Sequence, residues 1–179
     1  MTDWLGTRGR DGGIDVVPLP ATSGSLALCG KHAIGPNHEA AMARVDATTV
    51  VCLVEARELA DRYPAYLAWL TANRGGSAVW FPIHDLHAPT LDDTLPLLTE
   101  LLRRLDDGER LLMHCAAGIG RTGTVTVCLL MMMGMEQQAA LAHVAAHRPM
   151  AGPEVGAQRE LVAALMAHIA RPPAGPGAR

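Results

Sequence analysis

Lysine occurs once in this chain, at Lys31, and there is one phenylalanine, with two tyrosines and three tryptophans. With so few lysines the positive charge is almost all arginine, and the net charge of −3 gives no reason to propose a nucleic-acid or anionic-membrane partner. Aromatic scarcity argues against a stacking platform. Tyr63, Tyr66 and Trp69 stand at helical spacing and read as packing. Long apolar runs are missing too. The longest, Gly123 to Met135, is too short to cross a bilayer and reads as a core helix. The N-terminus has no basic region followed by an apolar core, so no secretory signal is expected. Cys29, Cys52, Cys115 and Cys128 lack zinc or disulfide-framework spacing, which points to a reducing cytoplasm. No internal repeat is present.

What is present fits one domain. A length of 179 residues suffices to bury about two-thirds of the unfolded surface. Residues 1–13 read as a loose N-terminal arm, 14–170 as the domain, and 171–179 as a Pro/Gly/Ala-rich tail. Strands are expected at Ile14–Leu19, Ser25–Cys29, Thr48–Val54, Ser77–Pro82 and around Leu111–Met113. Gly30–Gly35 reads as a loop, and helices are expected at His38–Arg44 and over Glu55–Asn73, divided at Pro64. The next helix has Leu95, Leu98, Leu102 and Leu105 on one stripe. Pro96 belongs in a first turn, so that helix either starts near Thr94 or kinks there. Thr122–Met135, Glu136–His147 and Pro153–Ile169 complete the helices. Strands alternating with helices predict an α/β domain, with a central, mainly parallel sheet flanked by helices.

The most informative stretch runs from Arg110 to Thr124. A short apolar strand leads to Cys115, a loop containing Gly118 and Gly120 follows, and Arg121 opens an all-apolar helix. Strand, loop and helix in that order aim free N–H groups and the positive end of the helix dipole at one point, which is an anion site. A cysteine thiol ordinarily titrates at roughly 8.5, and a helix N-terminus and nearby cations activate it by lowering that value. The glycines allow consecutive amides of Ala116, Ala117, Gly118, Ile119, Gly120 and Arg121 to turn inward. Arg121 adds a planar fork for two phosphoryl oxygens. The site pairs a nucleophile with a cradle for a tetrahedral dianion.

His114-Cys115-x5-Arg121-Thr122, within His-Cys-Ala-Ala-Gly-Ile-Gly-Arg-Thr-Gly-Thr, resembles the signature of the cysteine-dependent protein tyrosine phosphatases, including the dual-specificity group. That resemblance implies a phosphatase-like fold over about Ile14 to Ala167. It also implies a phosphomonoesterase acting on phosphotyrosine in proteins, extending to phosphoserine and phosphothreonine, through a cysteinyl-phosphate. The family carries its acid on a loop about thirty residues before the cysteine. Phe81-Pro82-Ile83-His84-Asp85 is similar to it, with His84 where a proline is often found, so Asp85 is the expected general acid. Asp92 and Asp93 are rivals by type, but they begin a helix, where carboxylates are expected as caps.

The resemblance further implies that His114 hydrogen-bonds into the loop and that Thr122 donates to the Cys115 sulfur. Gln158, beyond Arg148-Pro149, is the candidate for positioning water, against a solvent-facing helix position. His84, His87 and the pair His143 and His147 raise metal binding, yet no third ligand or role accompanies them, and neither a metal nor a cofactor is expected. A phosphate-binding module without turnover, a phosphoinositide phosphatase and a sulfur-transfer or arsenate-reducing thiol enzyme are the competing readings. Ala116, Ala117 and Ile119 supply no basic residue for an inositol headgroup, and Cys29, Cys52 and Cys128 offer no evident resolving thiol. A phosphorylated protein is the expected partner; the oligomeric state is left open.

Overall fold

The computed structural model describes residues 12–171. The expected arm and tail therefore lie almost wholly outside the described residues. Gly12 and Gly13, at the arm's end, are not loose: their carbonyls face the Arg148 guanidinium at 3.5 and 3.4 Å.

Five strands form the sheet: β1 (Ile14–Val17), β2 (Ser25–Gly30), β3 (Thr49–Cys52), β4 (Ala78–Trp80) and β5 (Arg110–Cys115). Their order is β1-β2-β5-β3-β4, with β1 antiparallel and all other pairs parallel. β3 is buried along its whole length, as β-branched strands in a parallel sheet are. β5 is central. It sets Cys115 beside Gly30 of β2, and His114 between Cys29 and Cys52.

Eight helices lie among the described residues: α1 (Lys31–Ile34), α2 (His38–Ala43), α3 (Arg57–Ala60), α4 (Pro64–Ala72), α5 (Leu91–Asp106), α6 (Gly120–Met132), α7 (Gln137–His147) and α8 (Gly156–Ile169). Every residue of α6 from Gly120 to Met131 is buried, because α5, α7 and α8 surround it. The helix that the sequence shows as apolar on all faces is thus the hub of the core.

Two expectations change. Gly30–Gly35 is not all loop, since α1 forms within it and its Ile34 is fully buried. α5 begins earlier than Pro96 allows on a simple rule. Thr90 caps it by accepting from the Asp93 N–H at 3.1 Å, which starts the helix at Leu91 and leaves Pro96 inside. The buried stripe is then Leu97, Leu98, Leu101 and Leu105, with Leu95 and Leu102 only partly covered. Asp92 and Asp93 sit in the first turn, and Asp93 Oδ2 also accepts from the Thr90 hydroxyl at 2.6 Å. Tyr66 and Trp69 stack with centroids 6.2 Å apart, and Tyr66 is buried, so these aromatics pack.

Candidate active site

Cys115 ends β5 at the core of the domain and is 3% exposed. The chain then turns through Ala116–Ile119 into α6. The carbonyls of this turn all point outward to partners. Ala116 O accepts from Lys31 N at 3.0 Å, and Ala117 O from Arg148 Nη2 at 2.7 Å. Gly118 O accepts from Arg148 Nε at 2.6 Å, and Ile119 O from Gly123 N at 2.8 Å. In a planar trans peptide the N–H of the next residue points opposite to the carbonyl. Four outward carbonyls therefore leave the amides of Ala117 to Gly120 facing the inside of the turn. One of them, Gly118 N–H, donates to Cys115 Sγ at 3.2 Å.

Gly118 has φ +74°, and a Cβ there would lie 2.2 Å from Cys29 O, so the turn needs glycine at this point. Gly120 serves differently from the sequence expectation. It has no positive φ; a Cβ there would instead meet Glu154 Oε2 at 2.0 Å and Gln158 Nε2 at 3.3 Å.

Arg148, which the sequence marks only as a helix breaker, clamps the loop from behind. It is 3% exposed and pairs with Asp15 Oδ2 at 2.7 Å while holding the loop carbonyls. Arg121 is 2% exposed. Glu58 grips it from one side through two bonds of 2.7 and 2.9 Å, and Ile83 O accepts from Nη1 at 2.8 Å. Asp85 Oδ1 lies 3.1 Å from Nη2, and Nε bonds to no described residue. Burial would raise the Glu58 carboxyl. The Arg121 fork, the Glu55 main chain and the Arg121 and Lys31 charges outweigh it and hold it below the usual carboxylate range. For Arg121 burial opposes the charge, but Glu58, Cys115 and Asp85 keep the guanidinium above its ordinary pKa.

His114 is fully buried, with Nε2 2.6 Å from the Tyr66 hydroxyl and Nδ1 3.3 Å from Cys115 O. A carbonyl only accepts, so Nδ1 carries the proton and Nε2 accepts from Tyr66. Burial, with some help from the Arg121 charge, pulls the imidazole pKa down to about 4 against the raising effect of the Cys115 carbonyl. His114 is a neutral strut between α4 and the loop. Thr122 departs from expectation: its Oγ1 is buried without a hydrogen-bond partner, so the bond to the sulfur is not formed.

The second loop, Phe81 to Thr90, is tied at its shoulders. Phe81 and Ile83 N–H groups reach Cys52 O and Leu53 O at 2.9 and 3.0 Å. His84 Nδ1 lies 3.0 Å from Glu55 Oε2 and 2.8 Å from Arg57 Nη2, so this ring anchors the place where proline is often found. Between the shoulders, Asp85 is 61% exposed and Leu86 takes a left-handed φ of +59°. Gln158 is not solvent-facing. It is 1% exposed, accepting from Glu154 N at 2.8 Å and donating to His87 O at 3.3 Å.

His143 and His147 are bonded instead to Pro18 O and His143 O, at 2.7 and 2.8 Å. Among the described residues no group of three or more His, Cys, Asp or Glu side chains is placed to hold a metal. Cys52 and Cys128 are free thiols pushed up to about 12 by burial. Arg148, Glu58 and Tyr66 are the site residues that sequence reasoning misses. Each comes from an element remote in sequence, and none carries a local motif.

A central strand, a Cys-x5-Arg turn and an aspartate loop over one arginine define a cysteine-dependent phosphatase of the dual-specificity type. The chain belongs to the family described as Swiss Army Knife protein, DSP-PTPase phosphatase domain, whose model matches residues 25–174. Among solved structures it resembles Tk-PTP in the active form, with 28% identity, 86% of this chain and 97% of that chain covered, and a TM-score of 0.65. Kinase associated phosphatase, solved with its catalytic-site cysteine replaced by serine, shares the fold at 18% identity, 88% and 96% coverage and a TM-score of 0.71. Human DUSP28 does so at 20% identity, 87% and 95% coverage and a TM-score of 0.63. No curated protein matches. The family makes the chain a hydrolase of phosphoric monoesters with phosphorylated substrates. No helix among the described residues is long and apolar enough to cross a membrane.

Proposed function

We propose that the protein removes phosphate from phosphotyrosine in proteins, and from phosphoserine and phosphothreonine, through a cysteinyl-phosphate on Cys115. The observation that carries this is the Gly118 N–H donated to Cys115 Sγ inside a turn whose carbonyls all face away. The Cys115 thiolate attacks phosphorus in line. The amides of Ala116 to Gly120 and the Arg121 fork hold the equatorial oxygens. A dianion taken by Arg121 at Nε and Nη2 competes with Asp85 for Nη2. It thereby releases the aspartate toward the leaving oxygen, which Asp85 protonates. Water then cleaves the thiophosphate, with Asp85 accepting its proton. His114, Tyr66, Glu58 and Arg148 hold this arrangement; Gln158 ties α8 to the acid loop.

No step calls for a metal or cofactor, because the covalent intermediate divides the reaction. The absence of basic side chains at Ala116, Ala117 and Ile119 favours a peptide over an inositol headgroup, and a reducing cytoplasm suits a working thiol. The test is hydrolysis of an aryl phosphate with chelator present. Turnover is expected to persist, and to vanish in Cys115→Ser while phosphate binding remains. An active Cys115→Ser protein would overturn the mechanism. Turnover confined to inositol lipids in a substrate panel would overturn the assigned substrate.

A further inference from the structure

Three carboxylates border the turn that holds Cys115. Glu58 and Asp85 stand at Arg121. The third is Glu154, whose Oε2 rests against Gly120, only 2.0 Å from where a Cβ on that glycine would be. Gly120 is the last residue before Arg121 and begins α6, so the Glu154 carboxylate is at the lip of the anion site. Its main chain is fixed there, since Glu154 N donates to Gln158 Oε1 at 2.8 Å and Glu154 O accepts from Arg159 Nη2 at 3.3 Å. Its side chain has no hydrogen bond or ion pair with any described residue, and the residue is exposed.

An anion that no described residue pairs, beside a site for a dianion, weakens substrate binding by repulsion. A carboxylate kept at such a place needs a later use. Gln158 is not free to provide it: its amide oxygen and an amide N–H are both engaged by main chain, and it is 1% exposed. Resting on the proposed phosphatase reading, we infer that Glu154 positions the hydrolytic water for the second step. The water donates one hydrogen to Asp85 and the other to Glu154, which turns a lone pair toward phosphorus. As the O–P bond forms, the P–S bond breaks and its electron pair returns to Cys115 as thiolate. The proton lost by water passes to Asp85, and inorganic phosphate leaves. Glu154 takes no part in the first step, where no water is needed.

The experiment is rapid-mixing kinetics of p-nitrophenyl phosphate on wild type, Glu154→Gln and Glu154→Ala, with acid quench and mass analysis of Cys115. In both variants the first equivalent of nitrophenol is expected at nearly the wild-type rate. Steady turnover should fall by about 10- to 100-fold, the scale on which misplacing one reactant acts. Phosphocysteine should accumulate. KM should fall, because the repulsion is gone and the slow step now follows the chemistry of attack. Turnover within twofold of wild type would overturn the inference. So would a burst slowed in parallel with turnover, which would make Glu154 part of the scaffold. Wild type that releases no nitrophenol, with no phosphocysteine formed in it or in either variant, would overturn the phosphatase reading, and this inference with it.

Discussion

The phosphate loop and the acid loop meet at Arg121, yet they are held in opposite ways. The turn from Ala116 to Ile119 is gripped by groups that never meet solvent: Arg148 at 3% exposure, Gly118 pressed against Cys29, and His114 braced on Tyr66. The loop carrying Asp85 is fixed mainly at its shoulders, through Ile83, the exposed ring of His84, and the His87 carbonyl bonded to Gln158, with Asp85 itself touching Arg121 and the His87 ring. Its tip is open. The difference teaches that the two jobs need different mechanics. On the proposed mechanism an anion cradle must be preorganised before substrate arrives, whereas a proton donor must leave Arg121 and follow a leaving group.

Substitutions can break this contrast, and the largest effect should come from the rigid side. Replacing Arg148 by methionine removes its pair with Asp15 and its bonds to two loop carbonyls, at a cost of about 3–5 kcal/mol in stability. At temperatures where the variant stays folded, kcat/KM for an aryl phosphate should also fall on the order of 100-fold. Denaturant melts and steady-state kinetics check both, and a variant with normal kinetics would show that the carbonyls stay turned out without the clamp. Asp85→Asn should lower kcat by about 10²- to 10³-fold with melting unchanged, since an exposed tip carries little of the fold. That loss should shrink for substrates whose leaving group needs no proton.

A smaller effect is a pH dependence of stability. Burial lowers the pKa of His114 from the ordinary imidazole value of 6.5 to about 4. The unfolded chain therefore binds more protons than the native one between these values, so stability is full above pH 6.5 and is lost as pH falls toward 4. The loss from this group should be a few kcal/mol, read as a falling denaturation midpoint over that range. Tyr66→Phe removes the bond that favours the neutral ring, so it should raise the lower edge of that window without abolishing it. Least of all, Glu55→Gln removes the Arg57 ion pair and weakens the contact to the His84 ring at the acid-loop shoulder, where Arg57 and Glu55 are 66% and 30% exposed. It should change stability by less than about 1 kcal/mol and turnover by less than about threefold.

The phosphate loop is legible in the sequence because its chemistry is contiguous: nucleophile, glycines and arginine lie within seven residues, flanked by a strand and an apolar helix. The parallel sheet is legible in the β-branched run around Val50, and Asp85 in its place after Phe81-Pro82. What supports the site is not. Arg148, Glu58 and Tyr66 act across sequence separations of 30, 63 and 48 residues, and nothing local distinguishes them from a helix end, a surface acid and a core aromatic. Periodicity misplaces the α5 stripe because Thr90 caps the helix ahead of Pro96, so hydrogen bonding at the end overrides the proline rule. The motif gives Thr122 a bond to the sulfur, and its buried hydroxyl has no hydrogen-bond partner among the described residues.

The burial of α6 has a consequence for how the site behaves in different media. Twelve consecutive residues of this helix, Gly120 to Met131, are shielded from water, so mobile ions cannot gather along its flank. The partial positive charge at its start is therefore undiminished by electrolyte, while encounters made through the open Asp85 tip are not so protected. Added potassium chloride should screen the repulsion between an anionic substrate and the exposed Asp85 tip, and so speed its arrival, yet leave the grip on a bound phosphoryl group almost constant, so that ionic strength separates capture from retention.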